Sequence, residues 1–167
     1  MRRVVRLALK EPGCCGILFL FDSDDACPKT LAPLVADWAR REAGYVPCEV
    51  VLAHREYECW FLAALESLRG HRGIRNDAIS VRNPETIRGA KEKLADTMAG
   101  SIRYSETADQ AALTDVMDIE IVYDRCRSFR RLANAFRSLL SVAGEHPGEW
   151  PADDKPTETN PIRGAPF

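Results

Sequence analysis

The chain has 167 residues, of which 46% are hydrophobic and 29% are charged, and its formal net charge is −2. This composition is typical of one globular domain with a core of ordinary size, and it argues against a polycation built to coat nucleic acid. The longest apolar run is far too short to span a bilayer, so we expect no membrane partner.

Residues 2–10 predict a short amphipathic helix that ends at Pro12-Gly13. Lys10 and Glu11 interrupt the apolar segment, so the segment is not expected to be a secretion signal. The residues expected to face inward are Val4, Val5, Leu7 and Leu9.

Two strands and a helix are predicted next. The continuous apolar run at 16–21 predicts a strand buried on both faces, and "CEVVLA" at 48–53 predicts a second one. Between them, a helical pattern begins at Pro28 and ends near Gly44. The order of helix, strand, helix and strand favours an α/β core with parallel strands.

The second half of the sequence predicts helices. "REYECWFLAALESLRG", residues 55–70, has the apolar spacing of a strongly amphipathic helix. A second helix is predicted over 84–99, a short one within 104–118, and a last one capped by Ser128. The buried stripe predicted for the last helix consists of Phe129, Leu132, Ala133, Phe136, Leu139 and Leu140.

We therefore expect one α/β domain at 1–143 and a flexible, proline-rich tail at 144–167. Two strands alone make a poor parallel sheet, because buried strands need neighbours. Three explanations follow: further strands are too weakly patterned to detect, part of the sheet lies outside this sequence, or a partner supplies it.

Six cysteines are spread along the chain without a CxxC pair or a histidine cluster. A structural zinc site is therefore not expected. Because no secretion signal is predicted, we expect reduced thiols in a cytoplasm.

The first strand ends in an acidic group, "DSDD", that includes Asp22 and Asp24. Side chains alternate along an extended chain, so these two carboxylates should point to the same side, just past the carboxyl end of the strand. A divalent cation such as Mg²⁺, facing a phosphate-bearing ligand, would relieve their mutual repulsion. The same residue types also suit a turn and helix cap before Pro28, and the motif alone does not decide between the two.

A second acidic group follows the second strand. Glu56 and Glu58 should lie at the same sheet edge as Asp22 if the strands are parallel. The dipole of the following helix would account for one of these carboxylates without any function. His54 is a candidate general base, although a histidine at a strand end is more often structural.

Five segments, in the same order, resemble a bacterial Toprim-like family (domain of unknown function 4276) over about Val4 to Leu140. They are "LFLFDSDDACP", "VVLAHREYECWFLAALESLRG", "NPETIRGAKEKL", "YSETADQAALTDVMD" and "RSFRRL". Toprim domains hold Mg²⁺ with a DxD pair and a separate glutamate, and they cut, join or extend nucleic-acid phosphodiesters. The resemblance implies a partial Toprim-like, Rossmann-like sheet and a nuclease-like activity that depends on Mg²⁺ or Mn²⁺.

Carried over by position, the resemblance makes Asp22 and Asp24 the metal ligands and adds Glu56, Glu58 and Lys91 as catalytic residues. The residues that it implies for binding phosphate or nucleic acid are Lys91, Ser128, Arg130 and Arg131. The family's first strand, with its glutamate, would precede the helix at 2–10. Glu11 is the only acid before Asp22 and lies in a turn, so the third metal ligand stays unassigned.

Three functions are open at this point. The first is a nuclease-like domain, with nucleic acid as substrate and an ATPase partner of the kind found in phage-defence systems. The second is a catalytically inactive partner or regulatory subunit. The third is a small phosphotransferase that uses Asp22.

Overall fold

The computed structural model describes residues 2–144, so all of the predicted tail except Gly144 lies outside the described residues. The elements in chain order are α1 (Arg2–Ala8), β1 (Ile17–Asp22), α2 (Pro28–Ala43), β2 (Cys48–Ala53), α3 (Glu58–Ala63), α4 (Leu65–Leu68), a 3₁₀ turn (Pro84–Thr86), α5 (Ala90–Ala95), α6 (Glu106–Val116), α7 (Ile119–Arg125) and α8 (Arg127–Val142). None of the helices in this range combines the length and the hydropathy needed to cross a membrane.

The two predicted strands form a parallel sheet, in a register that runs from Ile17 opposite Cys48 to Asp22 opposite Ala53. Both α2, which connects the strands, and α8 pack on β2. The predicted α/β class, with helices flanking the sheet and a helical C-terminal half, is confirmed. Within residues 2–144 the sheet has two strands, so no weakly patterned third strand was overlooked there.

One face of the sheet packs against α1 and α2 through a small apolar cluster that includes Ile17, Phe19, Cys48 and Val50. The other face meets α8, where a side chain at Gly16 would come within 3.2 Å of Leu139. β1 is only partly covered, and of its residues only Ile17 is fully buried. The expectation of a first strand buried on both faces was therefore wrong: within residues 2–144, β1 lies at the edge of a two-stranded sheet and its faces are only partly covered.

The larger hydrophobic core is helical and surrounds α3, whose residues Glu58–Ala63 are all 0% exposed. The ring of Trp60 meets that of Phe129 edge to face, with the centroids 5.0 Å apart. The Trp60 indole N–H also donates a hydrogen bond of 2.9 Å to the Ser128 hydroxyl. These contacts join α3 to α8, and they hold rigid the chain that leaves β2.

The helix predicted over 55–70 is interrupted at Ala64, where φ is −122° and ψ is 32°. A one-sided helix would leave half of its side chains in water, but here every residue from Glu58 to Leu65 is buried. The helix predicted over 84–99 is likewise divided into the 3₁₀ turn and α5, with Gly89 in the left-handed region at φ 66°. In both segments, packing on all sides decided where the helix ends, against the prediction from apolar spacing. The helix α7 was not predicted.

Two predicted buried stripes were only partly correct. In α1, Val5 is fully buried, but Val4 and Leu7 are 55% and 62% exposed. In α8, Phe129 is buried as expected, whereas Phe136 is 54% exposed and Ala135 takes an inward position. A sheet of two strands covers too little of either helix to bury a full stripe.

Ser128 does not cap α8 as expected. The N-cap residue is Cys126, and Ser128 lies buried in the first turn. The Glu85 carboxylate takes over the capping role, since its two oxygens accept the backbone N–H groups of Arg127 and Ser128 at 2.9 and 2.8 Å. A carboxylate at this position also suits the helix dipole.

The hydrogen bond between Trp60 and Ser128 yields the first testable prediction. In Ser128→Ala the buried indole N–H loses its acceptor, so the free energy of unfolding should fall by about 1–3 kcal/mol. Ser141→Ala, at the exposed end of α8, is the control and should change it by less than about 0.5 kcal/mol. Urea unfolding measures both, and equal stabilities would contradict the structural role given to Ser128.

Candidate functional site

The loops that follow β1 and β2 are fastened to each other. Ser23 N–H donates to the Ala53 carbonyl and Asp24 N–H to the Arg55 carbonyl, both at 2.9 Å. In return, Arg55 N–H donates to the Ser23 hydroxyl at 2.7 Å. Strand pairing thus continues beyond the sheet as loop pairing, which brings the two predicted acidic groups together.

Asp22 lies at the centre of this arrangement. Its Oδ1 accepts the backbone N–H of Tyr57 at 2.8 Å, at the start of α3. Burial raises the pKa of the Asp22 carboxyl, and the charges of Asp24 and Glu56 raise it further, although the Tyr57 N–H and Lys91 act in the opposite direction. Asp22 is therefore a half-buried carboxyl group within electrostatic range of two other carboxylates.

Asp24 and Asp25 occupy the rim of the site. β1 ends at Asp22, and Asp24 adopts a left-handed conformation with φ 46°, so the alternation expected of an extended chain does not extend to it. Asp25 forms salt bridges with Arg55 at 3.4 Å and with Arg88 at 2.8 Å. Asp24 therefore stays a rim candidate for the metal, whereas Asp25 is already paired.

Glu56 and Lys91 connect the site to α5. Glu56 Oε2 accepts the backbone N–H of Lys91 at 2.9 Å, in the first turn of that helix. The Lys91 ammonium lies 2.6 Å from Glu106 Oε1 in a partly exposed salt bridge. The hydrogen bond to Glu106 and the charge of Glu58 raise the pKa of Lys91, and its own charge acts on Asp22 and Glu58.

Glu58 is the most unusual carboxylate of the site because it is 0% exposed. Its Oε1 accepts a hydrogen bond of 2.8 Å from the Tyr104 hydroxyl, but its Oε2 is buried without a partner. Burial raises the pKa of Glu58, and the charge of Asp22 raises it further, although Tyr104 and Lys91 lower it. A buried carboxylate that lacks one partner costs stability unless a cation or a donor completes it.

The segment directly after β2 holds all of the orphaned buried side-chain atoms found among residues 2–144. They are His54 Nδ1, Arg55 Nε and Glu58 Oε2. Buried polar atoms are nearly always hydrogen-bonded, and each one left without a partner costs about 1–3 kcal/mol. All three lie within five residues of one another, in the segment that follows β2.

This set of donors suits Mg²⁺ only in a site with few protein ligands. Across residues 2–144, no group of three or more His, Cys, Asp or Glu side chains is placed to hold a metal ion jointly. Mg²⁺ is, however, often held by only one or two carboxylates, with water and substrate phosphates as its other ligands. Asp22, whose charge raises the pKa of Glu58, and Glu58 with its unpartnered oxygen are the two candidates for such a pair.

The structure separates the residues predicted to bind phosphate. Lys91 lies at the carboxylate cluster, which consists of Asp22, Glu56 and Glu58. Arg131 instead lines a cavity at the end of β2. Ser128 lines that cavity too, but its hydroxyl is bonded to Trp60. Arg130 donates to the carbonyls of Tyr123 and Asp124 at 2.7 and 2.9 Å, so it secures the end of α7.

Comparison with known proteins gives one match. The family model described as domain of unknown function (DUF4276) matches residues 1–137. The chain belongs to this family. No curated protein and no solved structure matches the chain.

In this DUF4276 chain, Tyr104 is a residue of the site that the sequence did not predict. Tyr104 donates to Glu58, and the burial of its ring together with the charge of Glu58 raises the pKa of its phenol. It is the first residue of "YSETADQAALTDVMD", a segment that carried the family resemblance. That resemblance was the only sequence signal for it, since a tyrosine before a helix has no pattern of its own.

The burial of Glu58 makes stability depend on pH. Because its pKa is higher in the folded than in the unfolded chain, the folded state gains stability from the protonated acid below the unfolded value of about 4.5. That gain is lost as the pH rises towards and through the pKa of Glu58 in the folded chain. Between the unfolded and the folded pKa, the free energy of unfolding falls by about 1.4 kcal/mol per pH unit. In metal-free buffer, Glu58→Gln should therefore become more stable relative to the parent protein between pH 4 and pH 8.

Chemical unfolding at several pH values, in the presence of a chelator, measures this difference. Glu120→Gln, which changes an exposed carboxylate on α7, is the control and should show a constant difference. A constant difference for Glu58→Gln as well would mean that Glu58 does not carry the expected penalty.

Proposed function

We propose that the chain is a Toprim-like, Mg²⁺- or Mn²⁺-dependent domain that processes phosphodiester bonds of nucleic acid in a nuclease-like reaction. The observation that carries the proposal is the buried, half-satisfied carboxylate of Glu58, which interacts electrostatically with Asp22 at the carboxyl ends of the two strands. Ligand sites of parallel sheets lie at that edge. Glu58 also supplies a candidate for the third acidic ligand that the sequence left unassigned.

Asp22 and Glu58 would hold the metal, with Asp24 at the rim. Bound there, Mg²⁺ would polarise the phosphodiester and lower the pKa of a water molecule. The chain's own groups keep the ligands in place: the Tyr57 N–H fixes one oxygen of Asp22, and the Tyr104 hydroxyl fixes one oxygen of Glu58. Each carboxylate thus keeps an oxygen that no other hydrogen bond fixes.

Lys91 is proposed to hold the substrate's phosphate. Its side chain is partly exposed and pairs with Glu106, which is itself more than half exposed. Such a pair is worth at most about 1 kcal/mol, so a phosphate dianion or diester can replace Glu106 at little cost. The site would then offer a carboxylate pair for the metal and one ammonium for the phosphate.

The wider setting of the proposal rests on the family resemblance. An ATPase partner, a role in a phage-defence system and a bacterial cytoplasm are the setting of Toprim-like proteins of this kind. Nucleic acid as substrate has the same support, together with the cationic Lys91 beside the carboxylates.

A second candidate function is a catalytically inactive partner subunit. The observation in its favour is the exposure of large apolar side chains on α1 and α2: Val4, Leu7 and Leu34 are 55%, 62% and 66% exposed. The third function, an aspartate-based phosphotransferase, requires an acyl phosphate on Asp22, which mass spectrometry of the intact protein after incubation with phosphodonors would detect.

Metal binding separates the first two functions. Isothermal titration of the protein with Mg²⁺ and Mn²⁺ should show weak binding that is reduced about tenfold or more in Asp22→Asn and in Glu58→Gln. Glu120→Gln should bind the metal as the parent protein does. If no heat is observed for either metal, or if Glu58→Gln leaves the affinity unchanged, the metal site is wrong and the partner role is favoured.

Strand cleavage tests the activity itself. Labelled single- and double-stranded DNA and RNA should be cut in the presence of Mg²⁺ or Mn²⁺ and left intact in a chelator. Lys91→Met should lower kcat by about 100-fold or more, because a charge that stabilises the phosphate is removed. Lys93→Met, an exposed lysine on the same helix, is the matched control. Equal rates for the two variants would remove Lys91 from the mechanism.

A further inference from the structure

Besides the carboxylate cluster, the structure has a recess at the carboxyl end of β2. It has a volume of about 300 Å³. Its walls are the start of α2, the start of α8, the 3₁₀ turn and the end of β2. The residues that line it are Cys27, Pro28, Lys29, Leu52, His54, Glu85, Arg127, Ser128 and Arg131.

The lining of this recess is cationic. Lys29, Arg127 and Arg131 contribute three positive charges, and none of the three forms a salt bridge within residues 2–144. The one acid in the lining, Glu85, is occupied by the two backbone N–H groups at the start of α8. Glu85 keeps its negative charge, so the three positive charges and one negative charge of the lining sum to +2.

Two further polar groups line the recess. His54 Nδ1 is buried and has no hydrogen-bond partner within residues 2–144. Cys27 is the N-cap residue of α2, and the Lys29 N–H together with the hydroxyl and N–H of Thr30 lowers the pKa of its thiol. A lowered thiol pKa means that this position favours negative charge, as the start of a 16-residue helix does.

We propose that the recess binds a phosphate monoester through Lys29, Arg127, Arg131 and His54. Arginine and lysine at a helix start are the groups that proteins use for phosphate. A volume of 300 Å³ lies at the lower end of small-molecule sites, enough for a phosphate with its attached sugar. Leu52 and Pro28 form the apolar side of the recess and would face the sugar.

The position of the recess links it to the proposed reaction. His54 precedes Glu56 by two residues, which span at most about 7 Å of chain. The recess and the carboxylates of Glu56 and Glu58 therefore draw on the same short segment after β2. The nucleic-acid part of this inference rests on the proposed function. In that function, the recess holds the terminal phosphate of a nucleic-acid strand, and the next phosphodiester of the strand reaches Asp22 and Glu58.

Alkylation of Cys27 tests the site without metal and without activity. In a chelator, the rate at which iodoacetamide modifies Cys27 is measured by peptide mass spectrometry, with exposed Cys15 as the internal reference. Inorganic phosphate and a nucleoside monophosphate should slow modification of Cys27 and leave Cys15 unaffected. Arg131→Gln should raise the concentration needed for protection about tenfold, whereas Arg3→Gln, on α1, should not.

The ligands distinguish the sources of the phosphate. Protection by a 5′- or 3′-phosphorylated oligonucleotide, but not by its hydroxyl-ended counterpart, supports a strand end. Protection by the mononucleotide alone overturns the nucleic-acid part and keeps the phosphate site. No protection by any of them, or protection that Arg131→Gln leaves unchanged, overturns the site. Because alkylation is measured in a chelator, its outcome does not depend on the metal site, whose failure is recorded by the titrations with Mg²⁺ and Mn²⁺.

Discussion

The parallel pairing of β1 with β2 is the constraint on which the rest of the site depends. Its register places Asp22 opposite Ala53, and the hydrogen bonds from Ser23, Asp24 and Arg55 extend the pairing past the strand ends. Backbone donors and acceptors buried near a sheet edge must be paired, so the two loops can hardly move apart once the strands are paired. Acids that are far apart in sequence therefore share one small volume.

The core around α3 maintains an arrangement that is unfavourable in itself. A carboxylate with 0% exposure and an unpartnered oxygen would normally turn towards solvent. Glu58 cannot do so, because the five residues after it are fully buried and Trp60 is held by both Phe129 and Ser128. The packing of the helical half thus keeps Glu58 in the interior, where the charge of Asp22 acts on it.

Sequence patterns predicted the parts of the fold that depend on local periodicity. The bounds of β2, those of β1 to within one residue, α2, and the electrostatic interaction of Asp22 with Glu56 and Glu58 follow from apolar runs and from the geometry of parallel strands. What failed depends on tertiary contacts: the break at Ala64 reflects burial on every side, and the role of Ser128 reflects a tryptophan 68 residues away. No pattern within one segment carries that information.

The recess and the carboxylate cluster have opposite charge and lie along one sheet edge. At the rim of the site, the charge of Asp25 is neutralised by its salt bridges with Arg55 and Arg88. A phosphate in the recess would add negative charge beside Asp22 and Glu58 and raise the attraction for a cation, and a cation there would strengthen the hold on phosphate. The two ligands should therefore bind cooperatively and by the same factor in either order. A site built from either half alone would have no such coupling.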